Sequence, residues 1–456
     1  MSRLMVGVSG VRGEVGLTLT AEVARQFAHA YATMLGAGRT VALGRDTRPS
    51  GPMLRDAMVA GLSECGVNVV DLGIVSTPGV ALMIKRLGAD GGGIVITASH
   101  NPSPYNGIKF MTPLGLNLPA HQAQQLKELW QAGQFTRAAS AGRITANDQT
   151  HALHVQAVCD IVDVELIRSK GFALVVDSIN GAGCAGTAML AKRLGARLIH
   201  VNGQPSGDFV HEPEPVQQNL VSLCEAMRRH RADVGFAQDP DADRLVIVDE
   251  HGTFIGEEYT LALTSAFVLS QRQGDLATNL STTRMMDDVA RAAGVRLLRT
   301  PVGEANVAER MLKSGCLFGG EGNGGVMDPR VVLVRDSFVG MALMLNYLAA
   351  TGQSVSRLVA RLERYVMVKE KFACPLGGAA AVLPAVKAAL AGRAGAQVNE
   401  EDGLRVDLPE GWTHIRASNT EPIMRITTEA PTAQAAADLT NQVRQIADRV
   451  LGAMGG

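Results

Sequence analysis

The chain has 456 residues, 46% hydrophobic and 19% charged, which is enough to bury large cores and too apolar for intrinsic disorder. Its formal net charge of −1 excludes a global basic field that would draw nucleic acid or an anionic membrane. Glycine is the outlier, with 50 residues against a usual share of about 7%. There is no G-X-Y period, so collagen is excluded, and the excess means floppy linkers or turns pressed against a ligand.

Length alone suggests about three domains, with two to four reasonable. The stretch MSRLMVGVSGVRGEVG has no apolar core of signal-peptide length, and no run reaches the roughly 18 apolar residues of a membrane span. Cys65, Cys159, Cys184, Cys224, Cys316 and Cys374 are scattered without CxxC, which predicts reduced thiols in a cytoplasmic enzyme.

Helical and strand patterns alternate along most of the chain, which predicts α/β architecture with largely parallel sheets. Thr20 can cap a helix through about Leu35, and Thr40–Gly44 follows as a short buried strand. Gly93–Thr97, Ala173–Asp177 and Leu245–Asp249 read likewise as buried parallel strands, β-branched and closed by turn residues. Segments 62–79, 190–207 and 289–303 share one plan: a helix ending at glycine, a short strand, then a Pro/Gly turn. Duplication and coincidence both fit that pattern. Gly377–Ala396, with Pro384 inside, reads as a helix with flexible flanks. Trp412–Arg416 and Ile423–Thr427 look like two strands joined by a polar loop. A helix follows from Thr432, with Ala436, Leu439, Val443, Ile446 and Val450 on one face. This end of the chain reads as a smaller α+β domain.

Four polar loops stand out. Thr97-Ala-Ser-His-Asn-Pro-Ser-Pro-Tyr-Asn-Gly-Ile-Lys109 follows directly on a strand, where ligand crevices form. Ser99 beside His100 is open to acyl transfer, although no G-x-S-x-G elbow surrounds it, or to carrying a phosphoryl group with a metal and cations nearby. Asp239, Asp241 and Asp243 alternate, so in an extended loop they converge on a hard cation such as Mg²⁺. Glu250 occupies position 12 of an EF-hand, but Arg244 replaces the glycine at position 6, so that reading fails. A phosphatase using Asp239 as nucleophile stays open. Gly319–Gly325 carries Glu321 and Asn323 as its only functional side chains, of the kind that grip sugar hydroxyls. Arg416 to Arg425 holds two guanidiniums with Ser418, Asn419 and Thr420, a composition suited to a phosphate. Gly181-Ala-Gly183-Cys-Ala-Gly186 matches a dinucleotide fingerprint, but no acid stands about 20 residues on, so it reads as a helix-starting turn.

The four loops in this order resemble the α-D-phosphohexomutase family, which contains phosphoglucomutase/phosphomannomutase and phosphoglucosamine mutase. TASHNP with NGIK, and DPDADR, carry the resemblance, and Gly7-Val-Ser-Gly-Val-Arg-Gly13 is similar to the family's N-terminal signature. The resemblance implies four domains around a central cleft. Three would be similar α/β domains with mixed, mainly parallel sheets (1–150, 151–252 and 253–366), and the fourth (367–456) a smaller α+β domain. It implies that Ser99 is the phosphoserine and that Mg²⁺ sits among Ser99, Asp239, Asp241 and Asp243. It places Arg12, His100, Lys109 and Arg244 around the transferring phosphoryl group, with Lys109 as a candidate acid/base. Glu321 and Asn323 would bind sugar hydroxyls. Arg416, Ser418, Asn419, Thr420 and Arg425 would hold the other phosphate. A hexose 1,6-bisphosphate is implied as activator and intermediate. The implied partners are a phosphosugar and no nucleic acid or membrane, for a monomer or homodimer.

The sugar loop departs from the glucose/mannose pattern Gly-Glu-Met-Ser-Gly-His and from the bacterial glucosamine pattern Gly-Glu-Gln-Ser-Gly-His. Gly320-Glu-Gly-Asn-Gly-Gly325 looks like the loop of archaeal-type phosphoglucosamine mutases, whereas Ser418-Asn-Thr420 is closer to the glucose/mannose type. Glucosamine phosphate is the favoured substrate, with glucose or mannose phosphate as the alternative.

Overall fold

The computed structural model describes residues 4–7, 10–375, 377–418 and 422–454. Three of its four sheets share one strand order. In the first, Thr40–Arg45, Asn68–Ile74 and Gly93–Ile96 run parallel, and Tyr105–Met111 pairs antiparallel with the third of them. Across the sheet these lie fourth, third, first, second. Ala173–Asp177, Arg197–Val201, Val234–Gln238 and Leu245–Val248 repeat that order, and so do Leu276–Asn279, Leu297–Thr300, Phe318–Glu321 and Gly325–Met327. The three similar sequence segments are the same step in each unit, the helix and strand of the first crossover. Their helices end at Gly66, Gly195 and Gly294, with φ of 76°, 66° and 68°, a left-handed turn that favours glycine. A common topology at matching positions makes duplication the better account of the repeat.

Leu245–Val248 is antiparallel to its neighbour, against the expectation of a parallel strand. The loop 239–244 is too short for the crossover that a parallel return requires. The tight hairpin has a consequence in all three units. It puts the serine loop, the aspartate loop and the Gly-Glu loop at the same topological place, between third and fourth strands.

The fourth sheet is wholly antiparallel, in the order Val366–Ala373, Ile423–Ala430, Gly411–Ala417, Leu404–Leu408, Gln397–Asn399. Phe372, Met424, Ile426, Ile415 and Leu404 pack against the helices Gly378–Leu390 and Ala433–Met454. Period-2 alternation turns the other set of side chains outward. There Lys371, Arg425 and Arg416 stand opposite one another on three adjacent strands. The first three domains share a continuous core, running from Val80 and Met83 through Leu174 and Phe236 to Phe338 and Leu343. The fourth has its own core and meets the third through polar contacts, such as the Arg284 amide donating to Glu429 Oε1 at 2.7 Å. Among the described residues no helix is long and apolar enough to cross a membrane.

The dinucleotide-like glycines have a packing reason. A Cβ on Gly181 would lie 2.7 Å from the Pro240 carbonyl oxygen, one on Gly183 would fall on the Gln238 side chain, and one on Gly186 would meet the Phe338 ring. Bare backbone therefore lets this turn press against the root of the aspartate loop. Gly181→Ala is expected to cost about 1–3 kcal/mol through overpacking, read as a lowered thermal midpoint. An unchanged midpoint would mean that the loop yields freely.

Candidate active site

Ser99 follows the strand Gly93–Ile96 with φ 51°, an uncommon conformation for a residue with a side chain. Buried contacts hold it there. The Ser99 amide donates to Thr97 Oγ1 at 2.8 Å, and Thr97 Oγ1 donates to Asp46 Oδ2 at 2.6 Å. Arg48, fully buried, pairs with Asp46 and donates to the carbonyls of Ser99, Asn101, Pro102 and Tyr105 at 2.6–3.0 Å. One planar fork thus satisfies most of the loop's inward carbonyls. Arg12 donates to Asn101 Oδ1 at 2.9 Å. Its strand lies close because a Cβ on Gly107 would sit 2.6 Å from the Thr97 carbonyl and 2.7 Å from that of Val11. Val8 and Ser9 of the N-terminal signature lie outside the described residues. His100 Nδ1 is 3.3 Å from Ser99 Oγ. Burial, aided by Arg244 and Arg12, pushes its imidazole down to about 2, so the ring is neutral.

Ser99 Oγ donates to Asp239 Oδ2 at 2.7 Å, across 140 residues of chain. The aspartate loop is a turn with Ala242 at φ 54°, not the extended segment that alternation suggested. Asp239 Oδ1 closes it by accepting from the amides of Asp243 and Arg244 at 3.1 and 3.0 Å. Neighbouring domains brace it: Thr77 donates to Asp241 Oδ2 at 2.6 Å, and Ser337 Oγ to the Ala242 carbonyl at 2.7 Å. Asp239, Asp241 and Asp243 are all buried, with ligand atoms within 4.8 Å of one another. Among the described residues Asp241 Oδ1 and Asp243 Oδ1 have no hydrogen-bond partner. Buried all-oxygen donors left unpaired are the chemistry of a hard-cation site, so these residues fit Mg²⁺. Burial, reinforced by Asp243 and Asp241, pushes the Asp239 carboxyl well above the usual range. Both its oxygens are engaged, which counts against Asp239 as a free nucleophile. Glu250, the would-be EF-hand ligand, accepts from Ser356 instead.

Lys109 Nζ donates to Asp241 at 2.7 Å and Asp243 at 3.2 Å. Burial alone would lower its pKa, but these carboxylates outweigh that and raise it, so the group is an ammonium. Arg244 is buried, 3.6 Å from Glu214, with Nε unpaired among the described residues. Arg335 joins this cluster to the sugar loop, donating to Asp243 Oδ2 at 2.7 Å and Glu321 Oε2 at 2.9 Å. Its room comes from Gly325, where any Cβ would fall on the Arg335 side chain. Asn279 Nδ2 donates to Glu321 Oε1 at 2.8 Å, so both oxygens of Glu321 are held.

Glu321 and Asn323 open on a cavity of about 230 Å³ between third and fourth domains, which Arg416, Arg425, His414 and Lys369 also line. Arg416 and Arg425 stand directly opposite on adjacent strands, and Arg416 pairs with Asp402 at 3.4 Å, so two guanidiniums converge on this wall. Ser418 closes the hairpin, its amide donating to the Ile423 carbonyl at 2.9 Å. Asn419 and Thr420 lie outside the described residues. The structure thus brings Ser99, Arg12, His100, Lys109, Arg244 and the three aspartates into one cluster. Arg335 links it to the cavity holding Glu321, Asn323, Arg416 and Arg425.

The chain matches four models described as phosphoglucomutase/phosphomannomutase: alpha/beta/alpha domains I, II and III over residues 3–137, 152–252 and 256–365, and the C-terminal domain over 365–446. The chain belongs to the phosphoglucomutase/phosphomannomutase family. It is 38% identical to a phosphoglucomutase/phosphomannomutase of Thermococcus kodakarensis over 93% of this chain and 94% of that one. It is 36% identical to a probable phosphoglucosamine mutase of Methanopyrus kandleri over 97% of each. A crystal structure of a phosphoglucomutase/phosphomannomutase family protein from Burkholderia thailandensis superposes with TM-score 0.86 at 29% identity, covering 98% of this chain and 97% of that one.

Sequence reasoning missed several residues that this phosphohexomutase fold relies on. Arg48 and Asp46 stand just past the end of the strand Thr40–Arg45, the position from which residues line a crevice. Arg335 and Asp336 are isolated charges before the otherwise uncharged helix Ser337–Thr351. Glu304 takes the Arg335 amide on Oε1 at 2.7 Å and Asn117 Nδ2 on Oε2 at 3.0 Å, tying the first domain to the third. Arg48→Met, which leaves Asp46 buried without its cation, is expected to cost about 3–5 kcal/mol in thermal unfolding. A wild-type midpoint would show that the serine loop holds its shape unaided.

His414 bridges the third and fourth domains. Its Nε2 donates to the Asp402 carbonyl at 2.6 Å, so Nδ1 accepts from Ser281 Oγ at 2.8 Å. Burial, aided by Arg405 and Arg416, pushes its pKa down to about 4. Between pH 6.5 and 4 the unfolded chain binds the proton and the folded one does not. The stabilisation is full above 6.5 and lost as pH falls toward 4, up to about 3 kcal/mol. The thermal midpoint of wild type should exceed that of His414→Gln at pH 7, with the gap closing toward pH 4.5. A gap independent of pH would refute the assignment.

Proposed function

We propose that this enzyme interconverts the 6- and 1-phosphates of a hexose through a phosphoserine at Ser99 and a hexose 1,6-bisphosphate, which also serves as activator. Glucosamine phosphate is the preferred substrate, with glucose or mannose phosphate as the alternative. The observation that carries the reading is the Ser99 hydroxyl, 2.7 Å from Asp239 within three converging buried carboxylates and ringed by cations. Domain limits are placed after residues 150, 252 and 366, which keeps each of the first three sheets within one domain and separates only Val366 from the strand Val366–Ala373 of the fourth. Six unpaired cysteines support a cytoplasmic setting. The chain works as a monomer or homodimer in this reading.

In this reading Ser99, Asp239, Asp241 and Asp243 hold Mg²⁺. Once bound, it supplies positive charge that offsets the phosphoryl oxygens and fixes the serine oxygen. Arg416, Ser418, Asn419, Thr420 and Arg425 hold the phosphate that is not being transferred, and Glu321 and Asn323 orient the sugar hydroxyls. The free sugar hydroxyl then attacks the phosphorus on Ser99. The new P–O bond to the sugar forms as the bond to Ser99 Oγ breaks, giving the bisphosphate. Arg12, Arg244 and the neutral His100 face the transferring group, the arginines countering its charge. Lys109, kept as an ammonium by Asp241 and Asp243, is suited to return a proton to the sugar oxygen when the bisphosphate passes a phosphoryl group back. In the opposite direction the proton lost by the attacking hydroxyl ends on the departing Ser99 Oγ, with Lys109 giving up one ammonium proton as it gains the other, so its charge is unchanged. Between the two transfers the bisphosphate turns round, so one phosphate site accepts either end.

Intact-mass measurement is expected to find one phosphoryl group on the protein, absent in Ser99→Ala, with mutase activity reduced at least about 10³-fold. Chelation should abolish activity and Mg²⁺ restore it. Undiminished activity in Ser99→Ala, or net phosphate release without isomer, would overturn the reading.

A further inference from the structure

Two carboxylates line the cavity between the third and fourth domains, Glu321 and Glu258. Glu321 is fully committed, one oxygen to Arg335 and the other to Asn279. Glu258, at the start of the helix Glu258–Gln271, has a single hydrogen bond among the described residues, from the Thr283 amide to Oε2 at 3.1 Å. The nearest ammonium, that of Lys369, pairs with the neighbouring Glu257 instead. Burial pushes the Glu258 carboxyl up to about 8, with Lys369 opposing and Glu257 adding to the shift. Among the described residues this carboxyl has no cation bonded to it, only the field of an ammonium that is paired elsewhere.

The sugar loop is shaped around it. Any Cβ on Gly322 would fall on the Glu258 carboxyl oxygens, so only a bare backbone lets the loop lie against this group. Gly325 likewise makes way for Arg335. Arg335 neutralises Glu321 and leaves Glu258 as the one acid lining the cavity without a cation bonded to it, among the described residues. The opposite wall carries Arg416 and Arg425, suited to a phosphate. A ligand satisfying both walls carries a phosphate at one end and a positive charge on its body.

We propose that Glu258 selects the substrate by pairing its carboxylate with the protonated amino group of a hexosamine phosphate. This rests on the mutase reading above and names the residue that sets its preference for an amino sugar. A hydroxyl offers Glu258 one neutral hydrogen bond. An ammonium offers several donors and the missing charge, and charge-assisted hydrogen bonds are about twice as strong. A neutral acetamido group lacks that charge, so N-acetylated sugars gain nothing from Glu258.

The test compares kcat/KM for glucosamine and glucose phosphates, starting from both the 1- and the 6-phosphates, in wild type and Glu258→Gln. The amide keeps an acceptor for Thr283 and removes only the charge. The ratio of glucosamine to glucose kcat/KM is expected to fall about tenfold or more in the variant, equivalent to about 1.4 kcal/mol. A ratio within twofold of wild type, or equal losses on both sugars, overturns the proposal and assigns Glu258 a structural role. Wild type alone also decides: a preference for glucose over glucosamine phosphate overturns it without any variant. Failure to turn over any hexose phosphate would instead sink the mutase reading itself, along with this one.

Discussion

A buried ionic cluster where three domains meet is the constraint on which the rest of the structure depends. Asp239, Asp241, Asp243, Glu304 and Glu321 lie together with Lys109, Arg244 and Arg335, all largely out of water. Taking such charges from water costs several kcal/mol each unless geometry and further hydrogen bonds repay it. Here the repayment comes from different domains. Lys109 reaches in from the first, the aspartates stand on the second, and Glu304, Glu321 and Arg335 belong to the third. None of these domains could bury its own share alone, so the cluster and the shared core beneath it hold the three units in one arrangement.

Duplication explains how three loops of unrelated chemistry arrive at one place. Each α/β unit has a short antiparallel return, and each return carries one of the polar loops at its tip. Two of the loops depend on a residue with a side chain in the left-handed region, Ser99 and Ala242. Such strain persists where surroundings over-determine it. Arg48 supplies that constraint for the serine loop, and Thr77 and Ser337 supply it for the aspartate loop. The fourth domain works differently. It offers a sheet face, with Lys371, Arg425 and Arg416 side by side, next to the hairpin closed by Ser418.

The glycine-rich loop 319–325 keeps Glu321 and Asn323 but lacks the Ser and His of the related patterns. In the folded chain its missing side chains are volume given to other residues, Glu258 and Arg335. Gly181, Gly183 and Gly186 follow the same logic at the aspartate loop, where packing against Pro240, Gln238 and Phe338 accounts for the dinucleotide-like pattern.

Local chemistry determined much of this protein. Helix and strand periods, the glycine stops at 66, 195 and 294, and the residue types of four polar loops are set by nearest neighbours along the chain, so they were legible in order. The Asp triplet, the Ser-His pair and the Arg/Ser/Thr loop announced themselves by composition. Pairing direction was less legible: Leu245–Val248 is as apolar as a parallel strand, and only its short connection betrays the hairpin. Arg48, Glu258, Glu304 and Arg335 were not legible as parts of the site, because an isolated charge in sequence has no partner until folding supplies one. Tertiary structure alone decided which carboxylates are neutralised and which are left short of a cation, since burial and the distance to a cation decide that, and neither is a property of local sequence.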